Sequence, residues 1–182
     1  MKYILKLSLT LLLITSLVAA ALAGVNAMTK DRIAAVQTEK INAAILALFP
    51  GSTNVRQLAA AEYADETGTV TAVYQADGGW AMEVRSSGFG GEITLMVGVS
   101  ALFDVTGVQV ISHTETPGLG AVAADKTSAG EAFRGSFVGL SGTLTVGDID
   151  AITSATITSQ AIVDGVNAAL ACEILEEQEV AQ

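Results

Sequence analysis

Two stretches of this 182-residue chain hold side chains whose types and spacing could do chemistry. Asp150-Ala151-Ile152-Thr153-Ser154-Ala155-Thr156-Ile157-Thr158-Ser159 places five hydroxyls in seven residues. It stands directly before an apolar stripe at helical spacing, Ile162, Val163, Val166, Leu170 and Ile174. Hydroxyls there can cap the orphan N–H groups of a helix start, and a single cap needs only one of them. Free N–H groups and the helix dipole also suit a phosphate-bearing ligand. The second stretch is His113-Thr114-Glu115-Thr116-Pro117-Gly118-Leu119-Gly120. Pro117 fixes one dihedral, while Gly118 and Gly120 permit close backbone approach, either in a tight connection or against a ligand.

Several elements must hold these stretches in place. Thr69–Gln75 is β-branched and aromatic, Asp77-Gly78-Gly79 signals a turn, and Trp80, Met82 and Val84 alternate with Ala81, Glu83 and Arg85. After Gly88-Phe89-Gly90-Gly91, Ile93, Leu95, Val97 and Val99 alternate again, and Val105–Ser112 reads as a further strand ending at the second stretch. Residues 126–137 predict a short helix ending near Arg134, Leu144–Ile149 a last strand, and Thr158–Leu175 the final helix. Residues 52–67 show only a loose pattern. The fold class is α+β, a mainly antiparallel sheet with one face packed by helices and no βαβ dinucleotide unit.

Composition excludes several functions. One cysteine, Cys172, and one histidine, His113, leave no intrachain disulfide, no four-thiolate cluster, no Cys-x-x-Cys-His haem site and no multi-histidine zinc site. If the chain moves electrons, it must do so with an organic cofactor. Lys2 and Lys6 aside, seven basic residues face all 19 carboxylates, a net of −12 from Gly24 onward. Such a surface repels phosphate backbones, so no nucleic-acid partner is expected.

From Tyr3 to Ala23 the chain is almost wholly apolar. The run after Lys6 is about 17 residues, and with Lys6 snorkelling it can span a hydrocarbon core of about 30 Å. Lys2 and Lys6 put the amino terminus in the cytoplasm and the main domain outside. A cleaved signal peptide has the same composition, with Ala21-Leu22-Ala23 as its site. An anchor is favoured by Ile33, Val36, Ile41, Ile45 and Leu48, which continue a helical pattern outward until Pro50-Gly51-Ser52.

The two stretches, in this order and spacing, resemble the FMN-binding domain family of the RnfG and NqrC subunits. Those subunits belong to the Rnf and Na⁺-translocating NADH:quinone oxidoreductase complexes. Asp150, Thr153, Ser154, Ala155 and Thr156 match the family's Asp-x-x-Thr/Ser-Ser/Gly-Ala-Thr pattern, with Ser154 where Gly is commoner. Glu115-Thr116-Pro117-Gly118-Leu119-Gly120 matches the loop that lies against the flavin, and Gly88-Phe89-Gly90-Gly91-Glu92-Ile93 also looks like family sequence. The resemblance covers about residues 65–175, with the anchor in outline.

This resemblance implies FMN joined through its phosphate to Thr156 by a flavin transferase. It further implies that Asp150 serves recognition or activation of the hydroxyl. Thr116, Gly118, Leu119 and Gly120 would offer backbone groups to the flavin, and Thr158 and Ser159 would neighbour the phosphate or ribityl chain. The implied organisation is a transmembrane anchor at 1–28, a stalk helix and linker at 29–64, and an FMN-binding domain at 65–182. It would sit in the cell (inner) membrane, single-pass, with the FMN domain on the extracytoplasmic side. The implied partners are the other membrane subunits of an Rnf-type complex. The short chain suits RnfG better than NqrC, and a stand-alone extracytoplasmic flavin carrier is a further alternative. His113 reads as a strand-end polar residue rather than a proton donor, Cys172 as core, and Trp80 as core packing or a flavin neighbour. A hydrolase lacks its nucleophile elbow and base, and a pilin-like protein gives the Thr156 segment no use.

Overall fold

The computed structural model describes residues 2–175. Contacts divide the chain into two compact units, Met1–Lys40 and Ile41–Gln182.

The first unit is helical, the bulk of α1 (Lys2–Leu48). Leu7, Leu12 and Leu17 are exposed, and the helix is long and apolar enough to cross a membrane. Its hydroxyls fit an apolar surrounding: Thr10 and Thr15 donate to the carbonyls of Lys6 and Leu11, one turn back.

The second unit is built on a five-stranded antiparallel sheet in the order β1 (Arg56–Gln57), β3 (Val70–Ala76), β4 (Gly79–Ser87), β5 (Glu92–Ser100) and β6 (Val105–His113). Alternation sorts the strand residues to two faces. Met82, Val84, Leu95 and Val97 pack with Ile162, Val163, Val166 and Ala169 of α4 (Thr156–Ala171). Phe133 of α3 (Ser128–Gly135) and Phe137 just beyond it join the same core, 5.4 Å apart edge to face. The opposite face is covered too. Ala81, Met96 and Ile111 pack with Ala44, Ile45, Leu48 and Phe49, so the end of α1 is part of this unit. Leu48 sits over Gly98 and Gly107, which face each other across β5 and β6. A Cβ on Gly107 would lie 2.9 Å from its Cδ2, and one on Gly98 3.2 Å from its Cβ. Of the predicted stripe in residues 29–48, Ile33 and Val36 are exposed, while Ile45 and Leu48 are buried.

Several elements differ from the sequence reading. Leu144–Ile149 is no strand: Val146–Asp148 forms a 3-10 turn. Side chains occupy the backbone groups a strand would need. Asp148 accepts from the Thr145 N–H and hydroxyl, and Asn167 both donates to and accepts from the Leu144 backbone. The final helix runs from Thr156 and stops at Ala171, before Leu175. Buried Cys172 turns extended, and β7 (Glu173–Ile174) pairs antiparallel with β2 (Tyr63–Ala64). Residues 52–67 thus hold two short strands, β1 and β2. A four-residue helix, α2 (Ala121–Ala124), follows the second stretch. Glu176, Glu177 and Glu179, expected as a solvated tail, lie outside the described residues.

Candidate functional site

The end of the sheet that carries the β4–β5 loop and the end of β6 meets the start of α4. There a 3-10 turn, Thr153–Ala155, leads straight into Thr156. Ala155 is buried in the core, so a small residue is required at that point. Thr153, Ser154 and Thr156 on either side of it are exposed. The Thr156 hydroxyl donates to the Thr153 carbonyl at 3.2 Å. Among the described residues no side chain caps this helix, because its N-cap position is Ala155. The hydroxyl cluster is therefore not a set of caps. Thr158 and Ser159 turn inward, and the Ser159 hydroxyl has no partner among the described residues.

The second stretch is a type II turn followed by α2. Leu119 N–H donates to the Thr116 carbonyl at 3.1 Å, with Pro117 and Gly118 at the central positions and Gly118 at φ +79°. The two glycines expected to act alike do not. Nothing lies within 4 Å of a Cβ on Gly118, which is there for its backbone angle. Gly120 is there for space: a Cβ on it would fall 1.9 Å from Glu115 Oε2. Glu115 is buried, accepting from Gly90 N–H at 2.9 Å through Oε1 and from the Thr158 hydroxyl at 2.5 Å through Oε2. Just before it, His113 Nδ1 accepts from the Glu115 N–H at 3.2 Å. That assigns the neutral ring's proton to Nε2, 3.0 Å from Asp125 Oδ1.

Between these segments lies an open cleft of about 280 Å³, lined by Phe89, Leu119, Gly120 and residues 153–158. Phe89, Leu119 and Ile157 are 64%, 49% and 55% exposed, an apolar rim beside the Thr156 hydroxyl. Of the residues singled out in the sequence, the cleft gathers Leu119, Gly120, Thr153, Ser154, Ala155, Thr156 and Thr158. Thr116, Pro117 and Gly118 are exposed outside its lining, Glu115 lies behind it, and Ser159 is buried away from it. Asp150 is exposed, and among the described residues no hydrogen bond joins its carboxylate to Thr156. Trp80 belongs to the other end of the sheet, where it stacks on Phe103 at 5.7 Å. Sequence reasoning passed over Phe89 and Ile157 as rim residues, although an aromatic among three glycines is a signal for Phe89.

Residues 88–171, the span from the glycine loop to the end of α4, match the FMN-binding domain family. The class is thus a small α+β domain carrying this match, preceded by one long apolar helix. The G subunit of the ion-translocating oxidoreductase complex of Methanosarcina acetivorans is 33% identical over 181 residues, covering 93% of this chain and 94% of that one. The G subunit of the Na⁺-translocating ferredoxin:NAD⁺ oxidoreductase complex of Acetobacterium woodii is 40% identical over 87 residues, 45% of this chain and 42% of that one. Its counterpart in the proton-translocating complex of Clostridium ljungdahlii is 37% identical over 116 residues, 59% and 57% respectively. The chain belongs to the family of G subunits of ion-translocating oxidoreductase complexes.

Proposed function

We propose that this chain is the electron-carrier subunit of an ion-translocating ferredoxin:NAD⁺ oxidoreductase complex, carrying FMN covalently on Thr156. The observation that carries the site is an exposed threonine hydroxyl at the uncapped start of a 16-residue helix, beside an apolar rim. The residues present fit FMN. Free N–H groups and the helix dipole favour a phosphate on Thr156, and Phe89, Leu119 and Ile157 offer apolar surface to a ring system. At about 280 Å³ the cleft falls at the lower edge of pockets that enclose a whole ligand, roughly 300–1,000 Å³. The flavin would lie partly outside it, as an exchange of electrons with a partner subunit requires.

Attachment by a flavin transferase would proceed from FAD. The Thr156 oxygen would bond to the phosphorus of the FMN half as the phosphoanhydride breaks, with AMP as the leaving group, the hydroxyl proton released and no net redox change. When bound, FMN supplies one- and two-electron chemistry, while this chain sets its position and exposure. Asp150 is proposed to act in recognition by the transferase, since its carboxylate is exposed. Residues to about 28 are proposed as the membrane anchor, with the amino terminus cytoplasmic because Lys2 and Lys6 precede the apolar run. The unit from Ile41 onward, which contains the FMN-binding domain, would then lie on the extracytoplasmic side, with other membrane subunits of the complex as partners. Covalent attachment suits that side, where a released cofactor is lost by dilution.

The test is Thr156→Val in the full chain, produced together with a flavin transferase. Loss of all covalent flavin, with an unchanged circular dichroism spectrum, is expected. Covalent flavin persisting on the variant would contradict the assignment.

A further inference from the structure

Glu115 is an expensive residue to place where it stands. The residue is 5% exposed, and among the described residues its carboxylate is in no ion pair. A buried carboxylate without a cation is costly unless hydrogen bonds compensate. Two strong bonds do so, and each reaches a different wall of the cleft. Oε1 holds the Gly90 N–H, next to Phe89, and Oε2 holds the Thr158 hydroxyl, two residues past Thr156 on α4. The surrounding glycines make the room. A Cβ on Gly88 would meet Oε1 at 2.2 Å, and one on Gly120 would meet Oε2 at 1.9 Å and the Thr158 hydroxyl at 2.3 Å. Two glycine-bearing loops are thus cleared around one carboxylate, and together with the start of α4 they line the cleft in front of it.

We infer that Glu115 is a positioning residue for flavin attachment, not a ligand of the flavin: through Thr158 and Gly90 it holds the first turn of α4 and the Phe89 loop in the arrangement that presents the Thr156 hydroxyl. The inference rests on Thr156 being the FMN acceptor. Both carboxylate oxygens are already engaged and the group is buried, so it has little left to offer a ligand in the cleft. What it controls is the orientation of the acceptor, and orientation enters the rate of the transfer step rather than the binding of the two proteins.

The experiment uses the full chain in detergent, with purified flavin transferase and FAD. The rate of FMN addition is followed by intact mass at a temperature where every variant is folded. Thr158→Val keeps the side-chain shape and removes the donor, and Thr158→Ser keeps the donor. Thr158→Val and Glu115→Gln are each expected to lower kcat by about tenfold with KM unchanged, the first by loss of one charge-assisted bond and the second by loss of the charge that strengthens both bonds. Thr158→Ser should restore at least half of the wild-type kcat, and the Glu115→Gln, Thr158→Val double variant should be no slower than the slower single one. Hydrogen exchange at the Gly90 amide should speed up in Glu115→Gln but not in Thr158→Val. Wild-type kcat in Thr158→Val would overturn the inference, as would Thr158→Ser as slow as Thr158→Val, or single effects that multiply. If the wild-type chain itself gains no FMN on Thr156, the acceptor assignment fails instead, an outcome visible in the same spectra.

Discussion

Adding one methyl group at Gly120 should cost this domain more than at either of two other glycines. In Gly120→Ala the new Cβ would stand 1.9 Å from Glu115 Oε2, 2.3 Å from the Thr158 hydroxyl and 2.9 Å from the Glu115 carboxyl carbon. Ordinary contact begins near 3.4 Å. The carboxylate would have to move by more than an ångström, which breaks its bond to Thr158. A buried hydrogen bond to a charged group is worth about 1.5–3 kcal/mol, and overpacking adds about 1–3 kcal/mol. The expected destabilisation is about 3–5 kcal/mol, or roughly 10–20 °C in Tm for a unit of this size. Gly118→Ala meets nothing within 4 Å but must adopt φ +79°, at about 1–2 kcal/mol. Gly135→Ala, at the end of α3 with open space and an ordinary φ, should be neutral or stabilise by up to about 1 kcal/mol. Trp80 is the sole tryptophan and lies in the sheet, so its fluorescence follows unfolding of this unit in the detergent-solubilised chain. A Gly120→Ala chain as stable as Gly118→Ala would refute the packing of Glu115 described above.

Leu48→Ala should lower stability by about 2–5 kcal/mol in the same assay, because Leu48 fills the space over Gly98 and Gly107. An unchanged Tm would detach the end of α1 from the sheet. Burial, with Asp65 and then Glu173 nearby, pushes the Cys172 thiol up to about 11 from an ordinary value of 9.0. A group raised in the folded state contributes stability below its unfolded value, so this contribution should be lost as pH climbs from about 9 to 11. Cys172→Ala should flatten that part of the profile. In the native chain the thiol should resist alkylation at pH 8 and react on unfolding.

The sheet was legible because its strands are long enough to show a period. Ile93, Leu95, Val97 and Val99 alternate through all of β5, and glycine-rich turns bound it. Two-residue strands carry no period, so β1 and β2 were invisible. Leu144–Ile149 misled because its backbone is satisfied by side chains, one of them Asn167, 23 residues further on. The last helix was overrun because Leu170 and Ile174 keep helical spacing while residue 174 belongs to a strand pair with Tyr63. At the site, the hydroxyl cluster and the Pro117-Gly118 turn were readable from local rules. The role of Glu115 was not, because its partner Thr158 is 43 residues away and the glycines that house it come from two loops. A glycine needed for its angle and one needed for space look the same in a sequence.

The central claim is that Thr156 bears the flavin, and it is tested most directly by intact mass and peptide mapping. The full chain would be purified after production with and without an active flavin transferase, then denatured and weighed. A gain of one FMN less one water, only with the transferase, is expected. After digestion the added mass should lie on the peptide holding Thr156 and on that residue. An unmodified chain despite an active transferase, or flavin mapped to Thr153 or Thr158, would contradict it.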